Sequence, residues 1–328
     1  MKRLSVAAAM VGACGLAACW AVQAGGQSET KPAKTVTTSP EGCVVEKFTV
    51  HSPSMKRDIR AVVVLPQEYA DNPDKRYPVL HTLHGMGAPY TTFSDMSPLR
   101  KALKTMPMIV TCFDGDRAGW YIDSTVKPDS KFTTFFFDEF IPYVDKHYRT
   151  NGRRGVTGFS MGGYGAMHYM LTKPEMFASV SSLSGAFRFF DGREGRPPSG
   201  FKGLLGDYEK NKAAYEACAI YGRIEQYVAR NVKLPPMMMH CGTEDGLLKA
   251  NRELRDFLIA QNKLIRQRLA KQIPDDADAR TRRGKMAELF AKEGIEFDHH
   301  ESPGGHNWTF WKTASRGVVE FHWRSFQK

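Results

Sequence analysis

The chain has 328 residues, a formal net charge of +11, 42% apolar residues and 25% charged residues. That length holds one large α/β domain or two small ones, and so ordinary a composition excludes a disordered chain and a multi-span membrane protein. The charge falls to +9 without Lys2 and Arg3, and the segment from Lys263 to Lys285 alone carries eight basic and three acidic residues, so the excess is largely local. A basic face of this kind can meet an anionic polymer or lipid headgroups, but its commoner reading is a solvated charged surface, and no nucleic-acid partner is expected.

Taken in chain order, Lys2 and Arg3 form a positive n-region, and Leu4 to Ala18 is an uncharged, Ala-rich stretch too short for a stable membrane span. Residues 1–24 therefore read as an export signal, and the protein is expected in the periplasm or outside the cell. Two processing readings stay open. Val22-Gln23-Ala24 fits an ordinary signal-peptidase site, whereas Leu16-Ala17-Ala18-Cys19 resembles a bacterial lipoprotein box that would leave Cys19 as a lipid anchor, the one membrane contact expected. Residues 25–42, rich in Gly, Ser, Thr, Lys and Pro, have the composition of a linker, so the folded domain is expected over 43–328.

Within that domain, short β-rich runs end in turn residues: Val44 to His51, Arg60 to Leu65, Pro78 to Leu83 before His84-Gly85, and Met108 to Phe113 before Asp114-Gly115. Apolar residues at 132, 136, 140, 144 and 148 make a helical stripe between Lys131 and Tyr148. A strand over Gly155 to Phe159, a helix over Met161 to Thr172 and a strand over Ala178 to Leu183 follow. After an irregular stretch from Ser184 to Leu234 come a strand over Pro236 to Cys241, a helical region from Gly246 to Ala291 and a strand over Ile295 to Glu301. Pro274-Asp275-Asp276 interrupts that helical region, which predicts two helices or a hairpin, an insertion near 263–285. Strands alternating with helices imply a mostly parallel central sheet covered on both faces. Cys43, Cys112, Cys218 and Cys241 permit disulfides in an exported chain, free buried thiols being the other reading, and the lack of a C-x-x-C pair argues against a zinc site.

The sharpest local signal is Gly158-Phe159-Ser160-Met161-Gly162-Gly163, a G-x-S-x-G sequence where a β-type run turns into a helical one. A tight strand-turn-helix bend forces its serine into a strained conformation and leaves no room for side chains two positions away, which is the nucleophile elbow. A serine hydroxyl needs a base in hydrogen-bond reach and a third group to orient that base, in the chain order Ser, acid, His. Asp245, just past a strand, and His306, in Pro303-Gly304-Gly305-His306-Asn307-Trp308, satisfy the order. Asp245 also reads as a helix N-cap, and Glu244 competes with it as the acid. His299 and His300 are neighbours in one strand, point to opposite faces and are rejected as the base. The developing oxyanion needs donors; the Met161 amide is one, and Met86, in His84-Gly85-Met86-Gly87, is the candidate for the second, unless that run is a plain glycine turn.

On Leu83 to Gly87, Asp114-Gly115 with Gly119 to Ser124, Gly158 to Gly163, Gly242 to Asp245 and Pro303 to Trp308, the sequence resembles the esterase D-like branch of the α/β-hydrolases. That branch includes feruloyl and acetylxylan esterases, S-formylglutathione hydrolases, siderophore esterases and mycolyltransferases. The resemblance implies an α/β-hydrolase fold, Ser160, Asp245 and His306 as a triad, Met86 and Met161 as oxyanion donors, and Trp120 and Tyr121 near the acyl pocket, the last pair reading equally as core aromatics. It implies hydrolysis of carboxylic esters without metal or organic cofactor, and with export it favours acyl groups on polysaccharides. Acyl transfer, siderophore ester hydrolysis and an inactive carbohydrate-binding scaffold are the rival expectations.

Overall fold

The computed structural model describes residues 34–187 and 201–328, all within the unit Pro32–Lys328. The segment read as an export signal, with Cys14 and Cys19, lies outside the described residues.

Nine strands form one sheet: β1 (Thr35–Thr38), β2 (Val44–Ser52), β3 (Arg57–Leu65), β4 (Tyr77–Leu83), β5 (Ile109–Phe113), β6 (Thr150–Phe159), β7 (Ser179–Leu183), β8 (Met237–Gly242) and β9 (Phe297–Ser302), in the order β1-β2-β3-β5-β4-β6-β7-β8-β9. From β5 to β9 the pairing is parallel, and β1, β2 and β3 extend it as an antiparallel flank. The central strands are buried on both faces, β4 and β5 at every residue, which is why they read as unbroken apolar runs. β1 falls inside the stretch expected as a linker and corrects that expectation. Its four residues are all exposed, so it is held by backbone pairing to β2 and carries no core pattern that composition could have revealed.

The helices are α1 (Ser97–Ala102), α2 (Phe132–Thr134), α3 (Ile141–His147), α4 (Met161–Thr172), α5 (Lys202–Leu205), α6 (Lys212–Cys218), α7 (Ile220–Ala229), α8 (Leu248–Ala270), α9 (Ala279–Glu293) and α10 (Trp308–Phe326). A π-helical stretch, Phe135–Phe140, joins α2 to α3. Pro142 has no N–H to return to the preceding turn, which accounts for the wider turn there, and Phe132, Phe136, Phe140, Val144 and Tyr148 are all buried as the stripe predicts. One face of the sheet packs on α2 to α4, α7 and α8, and the other on α1 and α10. Arg223 of α7 donates to the carbonyls of His168 and Leu171 at the end of α4, and the Tyr164 hydroxyl donates to Cys218 O, so α6 and α7 are tied to α4. The expected break at Pro274 divides α8 from α9, which pack on each other, with Arg266 stacked on Phe290 at 3.7 Å. The four cysteines of the domain are free and buried.

Besides His84, three histidines lie buried inside the domain. His81 faces Thr111 Oγ1, His168 faces Thr133 Oγ1, and His322 bridges the hydroxyls of Ser179 and Ser181. Burial pulls all three imidazoles down to about 3. They are neutral when folded but titrate near the ordinary value of about 6.5 when unfolded. Stability is therefore intact above pH ~6.5 and falls as the pH drops toward 3, by about 1.4 kcal/mol per pH unit for each site. Urea midpoints should fall between pH 6.5 and 5, before ordinary carboxylates titrate, and a flat midpoint over that range would contradict the assignment.

Candidate active site

β4 lies between β5 and β6, so the chain winds to one side of β4 and then crosses to the other, and the carboxyl ends of β4 and β6 flank the point of reversal where ligands collect in α/β sheets. Both ends carry candidate groups, His84 to Gly87 after β4 and Ser160 after β6. Register aligns Leu83 with Gly158 and Phe159 with Leu183, while Gly242 pairs with Ser302, so the loops holding Ser160, Asp245 and His306 leave the sheet at one edge.

Ser160 sits between β6 and α4 at φ 56° and ψ −117°, a conformation that costs a non-glycine residue on the order of 1–3 kcal/mol. The bend is possible because Gly158 and Gly162, two positions away on either side, have no side chains. A Cβ on Gly158 would lie 2.3 Å from the backbone of Gly162, and one on Gly162 would lie 2.0 Å from Leu83 O. The Ser160 amide donates to Leu183 O at 2.9 Å, and Ser160 O accepts the Ala186 amide at 3.0 Å, which fastens the elbow to the end of β7.

His306 Nε2 lies 2.9 Å from Ser160 Oγ, and His306 Nδ1 lies 3.0 and 2.9 Å from the two oxygens of Asp245. An Nδ1–H donated to the carboxylate leaves Nε2 with its lone pair toward the serine hydroxyl, the tautomer a base requires. Burial raises the Asp245 carboxyl, but hydrogen bonds from His306, the Leu247 amide and Ser184 outweigh it, and the group stays below the ordinary carboxylate range. The N-cap reading of Asp245 is corrected: α8 is capped by Leu247, and Asp245 Oδ1 instead accepts the Leu247 amide at 2.8 Å in the turn that leads into the helix. Glu244 is not at the histidine: its carboxylate takes the Gly304 amide. His299 and His300 remain in β9 and do not line the cavity around Ser160.

Met161 is the first residue of α4, where the amide has no partner within the helix. The Met86 amide meets no acceptor among the described residues. His84 shapes the second position: its Nε2 accepts the Gly115 amide at 2.8 Å, so Nδ1 carries the proton and donates to Gly85 O at 2.8 Å. Burial lowers its imidazole, which agrees with this neutral form although Asp114 lies 3.8 Å away.

A cavity of about 560 Å³ opens on Ser160, lined by Met86, Trp120, Met161, Ala186, Leu247 and Trp311 among others. Trp120 is thus at the site. Tyr121 is not, which corrects its expected place near the acyl group: it is fully buried under the β4 loop and donates its hydroxyl to His84 O at 2.9 Å, a supporting position dictated by the need to satisfy a buried phenol. Sequence reasoning missed Ser184 and Trp311. The indole N–H of Trp311 donates to Ser184 Oγ at 3.1 Å, and its ring meets His306 edge-on at 4.9 Å. Nothing local marks Ser184; Trp311 carries only the signal of lying about one helical turn beyond His306. Among the described residues, no group of three His, Cys, Asp or Glu side chains could hold a metal ion. A second groove, about 620 Å³ between α8 and α9, contains none of these groups.

A family model described as "Putative esterase" matches residues 52–315, most of the chain. The chain belongs to this esterase family. It is similar to an esterase of Mycobacterium tuberculosis, 37% identical over 131 residues, which are 38% of this chain and 28% of that protein. The match therefore spans less than a third of that relative's length. An acetyl esterase of Caldicellulosiruptor saccharolyticus is 22% identical over 304 residues, covering 84% of this chain and 97% of that protein. The solved S-formylglutathione hydrolase of Agrobacterium tumefaciens, 19% identical, superposes with a TM-score of 0.63 over 89% of this chain and 98% of that one, and shows the α/β-hydrolase fold.

Adding one methyl group at Gly162 tests the elbow. Its Cβ would strike backbone at 2.0 Å, not the mobile end of a side chain. Gly162→Ala should lower stability by about 3 kcal/mol or more, read as a fall in melting temperature, and abolish labelling of Ser160 by a fluorophosphonate. A normal melting temperature with full labelling would show that the turn is not constrained in this way.

Proposed function

We propose that this chain hydrolyses carboxylic esters through an acyl-enzyme on Ser160. The observation that carries the reading is the unbroken hydrogen-bonded chain Ser160, His306, Asp245, each link 2.9–3.0 Å, at the mouth of an apolar cavity.

Ser160 Oγ attacks the ester carbonyl carbon as its proton passes to His306 Nε2. Asp245 holds the Nδ1 side and stabilises the imidazolium that forms. The oxygen that becomes negative is received by the amides of Met86 and Met161, donors fixed in place before the reaction, which is where a preorganised site gains most over water. Collapse of the intermediate breaks the C–O bond, His306 returns its proton to the departing alcohol, and the acyl group stays on Ser160. Water then attacks the acyl-enzyme with His306 again as base, releasing the carboxylic acid and restoring the serine.

For the finer substrate, we take an acyl group on an extracellular polysaccharide. The support is the signal-like N-terminus, from Lys2 and Arg3 to Ala24, and the likeness to an acetyl esterase. Trp120, Met161, Leu247 and Trp311 give the acyl side an apolar lining.

Wild type and Ser160→Ala, each checked for folding, would be assayed on p-nitrophenyl acetate, methyl ferulate and acetylated xylan. The wild type should act, with Ser160→Ala at background and Asp245→Asn slowed by about 10⁴ in kcat because the histidine loses its required tautomer. Full activity in Ser160→Ala would sink the mechanism. Transfer of the acyl group to an added sugar instead of water would identify an acyltransferase.

A further inference from the structure

We propose that Glu244 is a positioning residue for His306, acting as a clasp between the loop that carries the acid and the loop that carries the base. The inference rests on the reading of His306 as the base and adds a residue to that same site.

The parallel ladder between β8 and β9 ends at the pair Gly242 and Ser302. Beyond it the two loops must hold Asp245 against His306 without further strand pairing. Residues 244 and 304 supply the link twice over. The Glu244 amide donates to Gly304 O at 3.1 Å, and Glu244 Oε2 accepts the Gly304 amide at 2.7 Å, closing a ring of main chain and side chain. Its other oxygen, Oε1, accepts the Thr243 hydroxyl at 2.7 Å, while the Thr243 amide donates to Ser302 O at 2.9 Å. From this ring one step along the first loop reaches Asp245, and two steps along the second reach His306.

The fit leaves no slack. A Cβ at Gly242 would lie 2.0 Å from Gly304 O, and Gly304 itself has φ 134°, where side chains are disfavoured. The loop is thus a glycine run pressed against its neighbour, and the Glu244 carboxylate is the side-chain group that holds it at Gly304. A charged acceptor on a main-chain amide is among the stronger hydrogen bonds available.

Glu244 touches neither Ser160 nor the cavity in front of it. It lies on the far side of the loop, exposed, lining a separate cleft of about 580 Å³ with His240, Ser302 and Asn307. Its effect must therefore pass through His306, and removing it opens no buried cavity. Misplacing a catalytic group by about 1 Å costs roughly 100-fold in rate.

The experiment compares wild type, Glu244→Ala and Glu244→Gln by two readouts. Steady-state kinetics on p-nitrophenyl acetate should show kcat lowered about 10- to 100-fold in Glu244→Ala with KM little changed, and near-normal values in Glu244→Gln, whose amide oxygen can still accept the Gly304 N–H. Proton NMR of the low-field His306 Nδ1–H, assigned by its absence in His306→Gln, should show that resonance lost or broadened by exchange in Glu244→Ala and retained in Glu244→Gln. An alanine variant with normal kcat and an unchanged resonance overturns the clasp, as do alanine and glutamine variants impaired alike. The NMR arm does not depend on turnover. An inactive wild type with a Glu244-dependent resonance would reject the esterase reading while leaving the clasp standing.

Discussion

Everything at this site depends on an approach of backbone to backbone that side chains would forbid. The turn after β6 presses against the end of β4 so closely that a methyl group at Gly162 would reach within 2.0 Å of Leu83 O. That contact sets Ser160 in its strained conformation and directs its hydroxyl away from the sheet. It also brings the first amide of α4 beside the loop that carries Met86. The strain is local, while the restraint is spread over β4, β6 and β7, whose hydrogen bonds with the elbow hold it from both sides. A rigid sheet is what allows a costly serine conformation to persist.

The charges follow from that geometry. A carboxylate 5% exposed would ordinarily resist ionisation, yet Asp245 keeps its charge because His306, the Leu247 amide and Ser184 all donate to it. That charge in turn fixes which nitrogen of His306 faces the serine. Trp311 contributes twice, holding Ser184 by its N–H and flanking the imidazole with its ring. Around the oxyanion position the same logic uses neutral groups: His84 is kept uncharged by burial and orients Gly85 O, and Tyr121 braces His84 from below.

The helix that follows Ser160, α4, connects this chemistry to the rest of the molecule. Its amino end offers the Met161 amide to the site, and its carboxyl end receives Arg223, a cation placed where the helix dipole is negative. Through Arg223 and Tyr164 the helices α6 and α7 are anchored to the same helix that presents the nucleophile. α8 is part of this arrangement, with Asn251 donating to Gly185 O and Arg268 to Val228 O, whereas α9 lies outside it. α9 buries none of its residues fully, and the basic excess seen in the sequence belongs to the turn and the exposed faces of these two helices.

By itself the sequence determined the alternation of strands and helices, the serine elbow and the order serine, acid, histidine, because each is written in local pattern: apolar runs, a glycine-spaced turn, and polar residues just past strand ends. It left Asp245 and Glu244 as competitors and Tyr121 beside Trp120 as an equal candidate for the acyl pocket. Adjacent residues share a local pattern and part company only in where their side chains point. Tertiary structure decided those cases. It turned Asp245 to the histidine and Glu244 to Gly304, put Trp120 in the cavity and Tyr121 beneath it, and recruited Ser184 and Trp311 from elements 127 residues apart. It also added β1, whose exposed side chains carry no signal of the backbone bonds that hold it. Hydrogen bonds between residues far apart in the chain have no period or spacing to read; they exist only once the sheet has brought its strand ends to one edge.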